Sequence, residues 1–135
     1  MYYCINVLIQ QEGKTMKWKF SDDVPIYLQI IELMKVDIVS GKYSSGDKLP
    51  AVRDLAMEAG VNPNTVQRSY AELERQGLVQ SERTSGRFVS IDDEKMKELR
   101  KELAKDYIEE LFVRLRSLGM DDQTIKDAVN NWEEE

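Results

Sequence analysis

The chain contains no histidine and a single cysteine, Cys4. One cysteine cannot close an intramolecular disulfide. Without histidine or a second cysteine, the usual ligands of a structural zinc and the usual base of a nucleophilic triad are both missing. No paired carboxylates, phosphate-cradling glycine loop or nucleophile cluster takes their place, so the reading is of a protein that is not an enzyme and needs neither metal nor cofactor. Long apolar runs are also lacking. The opening MYYCINVLIQQEGK holds an apolar patch only about five residues long with no basic flank before it, too short for a signal-peptide core or a membrane span. A cytoplasmic protein without membrane contact is expected. Basic excess is missing too: the net charge is −6, with ten Lys/Arg against ten Asp/Glu in residues 16–91 and eight against fourteen in 92–135. The front is neutral and the tail carries the acid. That balance counts against a nucleic-acid partner unless Arg53, Arg68, Arg83 and Arg87 share one face.

Proline occurs three times, at Pro25, Pro50 and Pro63, and each stands where a helix can begin. After Pro25 the apolar residues Tyr27, Ile30, Ile31, Met34 and Ile38 fall at i, i+3, i+4, i+7 and i+11, which buries one face of a helix. Gly41 is placed to cap it, and Ser44-Ser45-Gly46-Asp47 reads as a turn. A short second helix runs from about Ala51 to Ala59, with Val52, Leu55 and Ala56 inward and Arg53 outward. Ala59-Gly60-Val61-Asn62-Pro63 then stops one helix and starts another within about four residues, as a helix-turn-helix requires. The third helix, Pro63 to about Gln76, puts Asn64, Thr65, Gln67 and Arg68 on the exposed side of its first two turns. Beyond Gly77 the period changes to alternation, and Leu78–Ser81 and Arg87–Ser90 read as two strands of a small hairpin around Arg83, Ser85 and Gly86.

Several of these side chains suit DNA. Asn and Gln can pair bidentately with adenine and Arg with guanine, while Thr can meet a phosphate or a thymine methyl. Arg53, near the positive end of its helix, gains nothing from the helix dipole, and a phosphate shared between that helix end and Arg53 accounts for it; a surface salt bridge with Asp54 or Glu58 is the alternative. Asn62 reads first as a helix cap and second as a base reader. A basic hairpin with Arg83 and Arg87 could follow flanking phosphates or enter the minor groove.

The ordered series Gly46-Asp47-Lys48-Leu49-Pro50, Arg53-Asp54-Leu55-Ala56, Gly60-Val61-Asn62-Pro63-Asn64-Thr65-Val66, Leu73-Glu74, Gly77-Leu78-Val79 and Gly86-Arg87-Phe88-Val89 resembles the GntR family of bacterial winged-helix repressors over residues 25–90. Trp18-Lys19-Phe20 with Pro25-Ile26-Tyr27 is similar to its short-tailed, YtrA-like branch. The resemblance implies a natural start at Met16. It also implies phosphate and base contacts at Arg53, Asn62, Asn64, Thr65, Gln67, Arg68 and the hairpin around Ser85 and Gly86. Two positions depart from the family pattern: Ala51 stands where many members have a polar cap, and Pro63 where many have a basic residue.

Outside that region, residues 1–15 read as an N-terminal extension, with an edge strand from Tyr2 to Ile9 as the alternative. The tail, 92–135, reads as two helices separated at Gly119. On the first, Met96, Leu99, Leu103, Tyr107, Ile108, Leu111, Phe112, Leu115 and Leu118 make an apolar face too wide for one helix to bury. A second helix, capped by Asp121, brings Ile125, Ala128, Val129 and Trp132. The expected architecture is mainly α with a small β-wing: a winged helix-turn-helix domain over 16–91, followed by two dimerisation helices. Leu99, Leu103, Tyr107, Leu111, Phe112, Leu115 and Trp132 are the expected dimer contacts. The expected function is a homodimeric regulator of transcription, a repressor, on an inverted-repeat DNA operator. A small-molecule effector of unknown identity would be sought around Tyr107, Phe112 and Trp132, because a tail this short has little room to enclose a pocket. The alternative is a winged-helix protein-interaction module without DNA specificity.

Overall fold

The computed structural model describes residues 18–134; the extension at 1–15 and its alternative strand lie outside that range. Helix α1, Ile26–Val39, begins directly after Pro25, whose φ of −51° is set by its ring. It buries Ile30, Ile31, Leu33, Met34 and Ile38. The periodicity does not reveal a sixth buried residue, Gln29. Its amide accepts from the Ser21 backbone N–H at 2.8 Å and donates to the Ser21 and Val24 carbonyls at 2.8 and 2.7 Å, closing the loop that enters the helix. A buried amide satisfied in this way carries no desolvation penalty of the kind an orphan would.

Helix α2, Val52–Ala59, starts after Ala51, which offers no side-chain cap, so the expected start at Ala51 moves by one residue. It ends at Gly60 in the left-handed region, φ 69°, with the Val61 N–H bonded to the Ala56 carbonyl at 3.0 Å. Helix α3, Pro63–Arg75, follows immediately, and the Asn62 side chain accepts from the Asn64 N–H at 2.8 Å. The first turn thereby gains one partner, and Pro63 has no N–H to leave unpaired. Val66, Tyr70 and Leu73 point into the core, where each is at most 1% exposed. Two hydrogen bonds fix how α3 crosses its neighbours. The Ser69 hydroxyl reaches the Tyr27 carbonyl of α1 at 3.0 Å, and the Tyr70 hydroxyl donates to the Pro50 carbonyl before α2 at 2.8 Å.

The hairpin consists of β1, Val79–Glu82, and β2, Gly86–Val89, antiparallel with Val79 opposite Val89 and Glu82 opposite Gly86. Each strand lies one residue from its expected place. The pairing register is the one the expected strands imply, with the ladder running one pair further toward the tip; the segment just before α2 also joins β2, through Leu49 N–H to the Arg87 carbonyl at 2.8 Å and Val89 N–H to the Asp47 carbonyl at 2.9 Å. The sequence reads that segment only as a turn. Leu49, Leu78, Val79 and Val89 close the core under this small sheet.

Two helices complete the chain, α4, Asp93–Arg116, and α5, Asp122–Asn130. The molecule divides into two compact units, one reaching to Arg100 and the other starting at Lys101, so the division falls inside α4. Within the first unit, the opening turns of α4 are anchored by the Lys95 ammonium on the Gln76 carbonyl at 2.7 Å, by Arg100 on the Val39 carbonyl at 3.0 Å and by buried Leu99. Each cation sits at a helix C-terminus, where unpaired carbonyls and the helix dipole favour it.

In the second unit, Gly119 takes φ 86° and Asp121 caps α5 by accepting from the Thr124 N–H at 2.8 Å. Arg116 forks onto Asp122 at 2.7 and 2.9 Å. Ile125 and Leu103 are buried, and so is the Glu110 carboxylate, which pairs with Arg114 at 2.9 Å. Ile108, Leu111, Val113, Leu118, Val129 and Trp132 remain exposed. Among the described residues no helix is long and apolar enough to cross a membrane.

Candidate nucleic-acid interface

Helix α3 is amphipathic, and its outward side near the N-terminus carries Asn64, Gln67 and Arg68, all exposed, with Thr65 half-buried beside them. The Asn62 carboxamide oxygen is engaged as the helix cap, so the capping reading of that residue holds in the free protein. Asn64 has its backbone N–H committed to that cap and its side chain exposed. Thr65 joins Asn64, Arg68, Ile26 and Tyr27 in lining an open groove of about 430 Å³ between the starts of α1 and α3.

The two candidate readers farther along are each held by an aromatic or wing residue that the sequence does not place beside them. The Arg68 guanidinium lies over the Tyr27 ring, 3.7 Å from its centroid. Gln67 accepts from Arg87 of β2 through Oε1 at 3.3 Å, which turns its amide NH₂ away from the wing as the available donor. Arg87 itself is half-buried, 5.4 Å from the Tyr70 ring centroid, and its Nε is buried without a hydrogen-bond partner. Its guanidinium therefore faces α3, not the hairpin tip. The tip is formed by Arg83, Thr84 and Ser85, all exposed, with the Ser85 N–H on the Glu82 carbonyl at 3.3 Å. Gly86 follows at φ 103°, so a side chain at this position is strained, although a Cβ there would meet only the flexible end of Lys48, Cε at 3.0 Å.

Arg53 is exposed in the first turn of α2 and makes no hydrogen bond or ion pair among the described residues, so the alternative of a salt bridge with Asp54 or Glu58 does not form. Intrahelical pairing at this end begins with Leu55 on the Ala51 carbonyl at 3.0 Å. The N–H groups of the preceding turn are thus available to an anion. The four arginines differ in exposure. Arg53, Arg68 and Arg83 are exposed, while Arg87 is drawn inward.

Charge near α3 is managed in pairs. Arg75 contacts Glu72 at 2.5 and 2.8 Å, and Arg75 and Gln76 together hold the Glu72 carboxyl down to about 2. Burial pushes the Tyr70 phenol above its ordinary range. It also raises Asp37 on α1, against the opposing pull of Lys42 at 3.4 Å. None of these groups lines the groove. Among the described residues no cluster of three or more His, Cys, Asp or Glu could hold a metal ion.

Of the expected tail contacts, Leu99 and Leu103 are already buried in the single chain, Tyr107, Phe112 and Leu115 are half-buried, and Leu111 and Trp132 are exposed. Ile108 and Leu118, on the expected apolar face but not among the expected dimer contacts, are more exposed, at 55% and 74%, than most of those contacts.

Known proteins share the family and fold of this chain. Residues 26–89 match the model of the bacterial regulatory proteins, gntR family. The chain is 34% identical over 116 residues to the uncharacterised HTH-type transcriptional regulator YhcF of Bacillus subtilis, spanning 86% of this chain and 96% of that protein. Over 66 residues it is 48% identical to the HTH-type transcriptional repressor YtrA of the same organism, spanning 49% of this chain and 51% of YtrA. A solved GntR family transcriptional regulator from Listeria monocytogenes superposes with a TM-score of 0.74 at 37% identity, over 84% of this chain and 100% of that one.

Proposed function

The chain belongs to the GntR family of bacterial regulatory proteins, transcriptional regulators with a DNA-binding domain, and on that premise we propose that it is a homodimeric repressor of an inverted-repeat operator. The observation that carries the reading is the outward face of α3, where Asn64, Thr65, Gln67 and Arg68 project at the end of the helix that a helix-turn-helix inserts into the major groove. Asn64, Gln67 and Arg68 supply base selection. Arg53, the free first turn of α2 and the tip residues Arg83 and Ser85 supply phosphate contacts that fix register without reading sequence. Arg87 holds Gln67 and stays a candidate DNA contact beside it. Repression is the sign suggested by the relative named as a repressor.

The winged helix-turn-helix over 16–91 binds DNA and the tail over 92–135 joins two copies. Support for the second role is the exposure of five large apolar side chains in the tail, Ile108, Leu111, Leu118, Val129 and Trp132. A twofold pair of tails would set two α3 helices on half-sites about one helical turn apart. A regulator of this kind works in the cytoplasm. The protein-interaction reading draws on the neutral charge of 16–91, but it leaves the polar face of α3 without a use.

Selection of bound duplexes from a random library by the purified chain tests the proposal. An enriched inverted repeat is expected. Arg68→Ala should relax preference at one base position, by about 1–3 kcal/mol of discrimination. Arg53→Ala should weaken all duplexes alike and lower the salt slope. Absence of any enriched sequence from a folded dimer would overturn the reading in favour of a protein-interaction module.

A further inference from the structure

We propose that Tyr27, on α1 and outside the helix-turn-helix, is a specificity-determining positioning residue: its ring presets the Arg68 guanidinium for base readout. The inference rests on the DNA-binding reading above. Three observations meet at this residue. The Arg68 guanidinium carbon lies 3.7 Å from the Tyr27 ring centroid, close enough for the cation to use the negative face of the ring. The Tyr27 backbone is tied to the same helix, since the Ser69 hydroxyl, one residue beyond Arg68, reaches the Tyr27 carbonyl at 3.0 Å. The ring also forms a wall of the groove that Asn64, Thr65 and Arg68 line.

A free arginine side chain has several rotatable bonds and loses that freedom when it forms a two-pronged bond to guanine O6 and N7. Contact with Tyr27 removes part of the freedom in advance, because the guanidinium carbon is held over the ring face. Arg68 remains exposed, so its N–H donors are accessible to a base. Preorganisation of this kind helps the matching base and does nothing for a mismatched one, so its effect falls on discrimination more than on general affinity. The first turn of α1 then belongs to the reading head, although it is 41 residues before Arg68 in the chain.

The experiment compares the full-length wild type with Tyr27→Phe, Tyr27→Leu and Arg68→Ala. Each is titrated against its selected duplex and against the duplex changed at the base pair that Arg68→Ala ceases to distinguish. Thermal melts verify folding, and salt slopes are measured in parallel. Phenylalanine keeps the ring face and should keep the wild-type discrimination ratio. Leucine keeps apolar cover but not the quadrupole, and should lower the ratio about two- to fivefold, the size a surface cation–π contact supports, with the salt slope unchanged. If Tyr27→Leu, still folded, discriminates as well as the wild type, the inference is overturned and the regulator reading stands. Equal losses on both duplexes with a reduced salt slope would also overturn it, because Arg68 would then be held toward a phosphate. If the wild type prefers no duplex, the DNA-binding reading falls and this inference falls with it.

Discussion

Replacing Tyr70 with phenylalanine removes one oxygen from the centre of the winged unit and leaves everything else in place. The residue is 1% exposed and its hydroxyl donates to the Pro50 carbonyl at 2.8 Å, the bond that ties α3 to the entrance of α2. Phenylalanine retains the ring, so apolar burial is unchanged and no cavity of consequence opens. What is lost is one hydrogen bond, together with the satisfaction of a carbonyl that is itself partly shielded. A net loss of about 1–2 kcal/mol follows, nearer the upper figure if water cannot reach the carbonyl. In urea that is a fall in midpoint of roughly 0.5–1 M with no change in slope.

The same substitution predicts a pH signature. Burial raises the Tyr70 phenol above its ordinary range, whereas the unfolded chain has it near the ordinary phenol value of about 10. Its contribution is therefore fully present below pH about 10. Above that, the unfolded state releases a proton that the folded state keeps, and wild-type stability declines by about 1.4 kcal/mol per pH unit from this group. The phenylalanine variant has no such loss, so the two stability curves should converge and meet at about pH 11. Urea titrations at pH 7, 9, 10 and 11 measure the gap directly. Equal stability at pH 7, or a gap that stays constant from pH 9 to 11, would refute the assignment of a buried, bonded phenol.

Other outcomes follow from the same contacts. Asn62→Ala should cost about 1 kcal/mol by removing the α3 cap, seen as a lower thermal midpoint, whereas Asn62→Gly should cost only a few tenths. Leu118→Lys together with Trp132→Glu should shift the chain toward monomer in sedimentation while its circular dichroism spectrum stays helical; an unchanged dimer would remove the exposed tail face from the interface. On the acid side, Arg75 holds Glu72 down to about 2, and the Thr124 N–H and Arg116 lower Asp121 and Asp122 respectively. Their stabilisation is present above the ordinary carboxylate values and is lost as pH falls through the lowered ones. Stability should therefore decline below pH about 4, and the triple variant Glu72→Gln, Asp121→Asn, Asp122→Asn should show a shallower acid decline.

The amino-acid sequence determined the elements by local chemistry alone. Pro25 and Pro63, the Asn62 and Asp121 caps, and the left-handed glycines at 41, 60, 77 and 119 mark where helices begin and end. Each works within one turn of its own position, so each is legible without the fold. The 3.6-residue period placed Ile30, Val66 and Tyr70 inside, and the same helix faces brought Asn64, Gln67 and Arg68 outside. What only tertiary structure decided are the contacts between groups far apart in sequence. Tyr27 lies under Arg68, and Arg87 turns from the hairpin tip to Gln67. Residues 46–49 pair with β2, and Leu99 and Leu103 are buried inside the chain instead of being left for a partner. Periodicity tells which side of a helix is apolar. It does not tell which surface will cover that side, because the answer depends on how helices from distant parts of the chain cross.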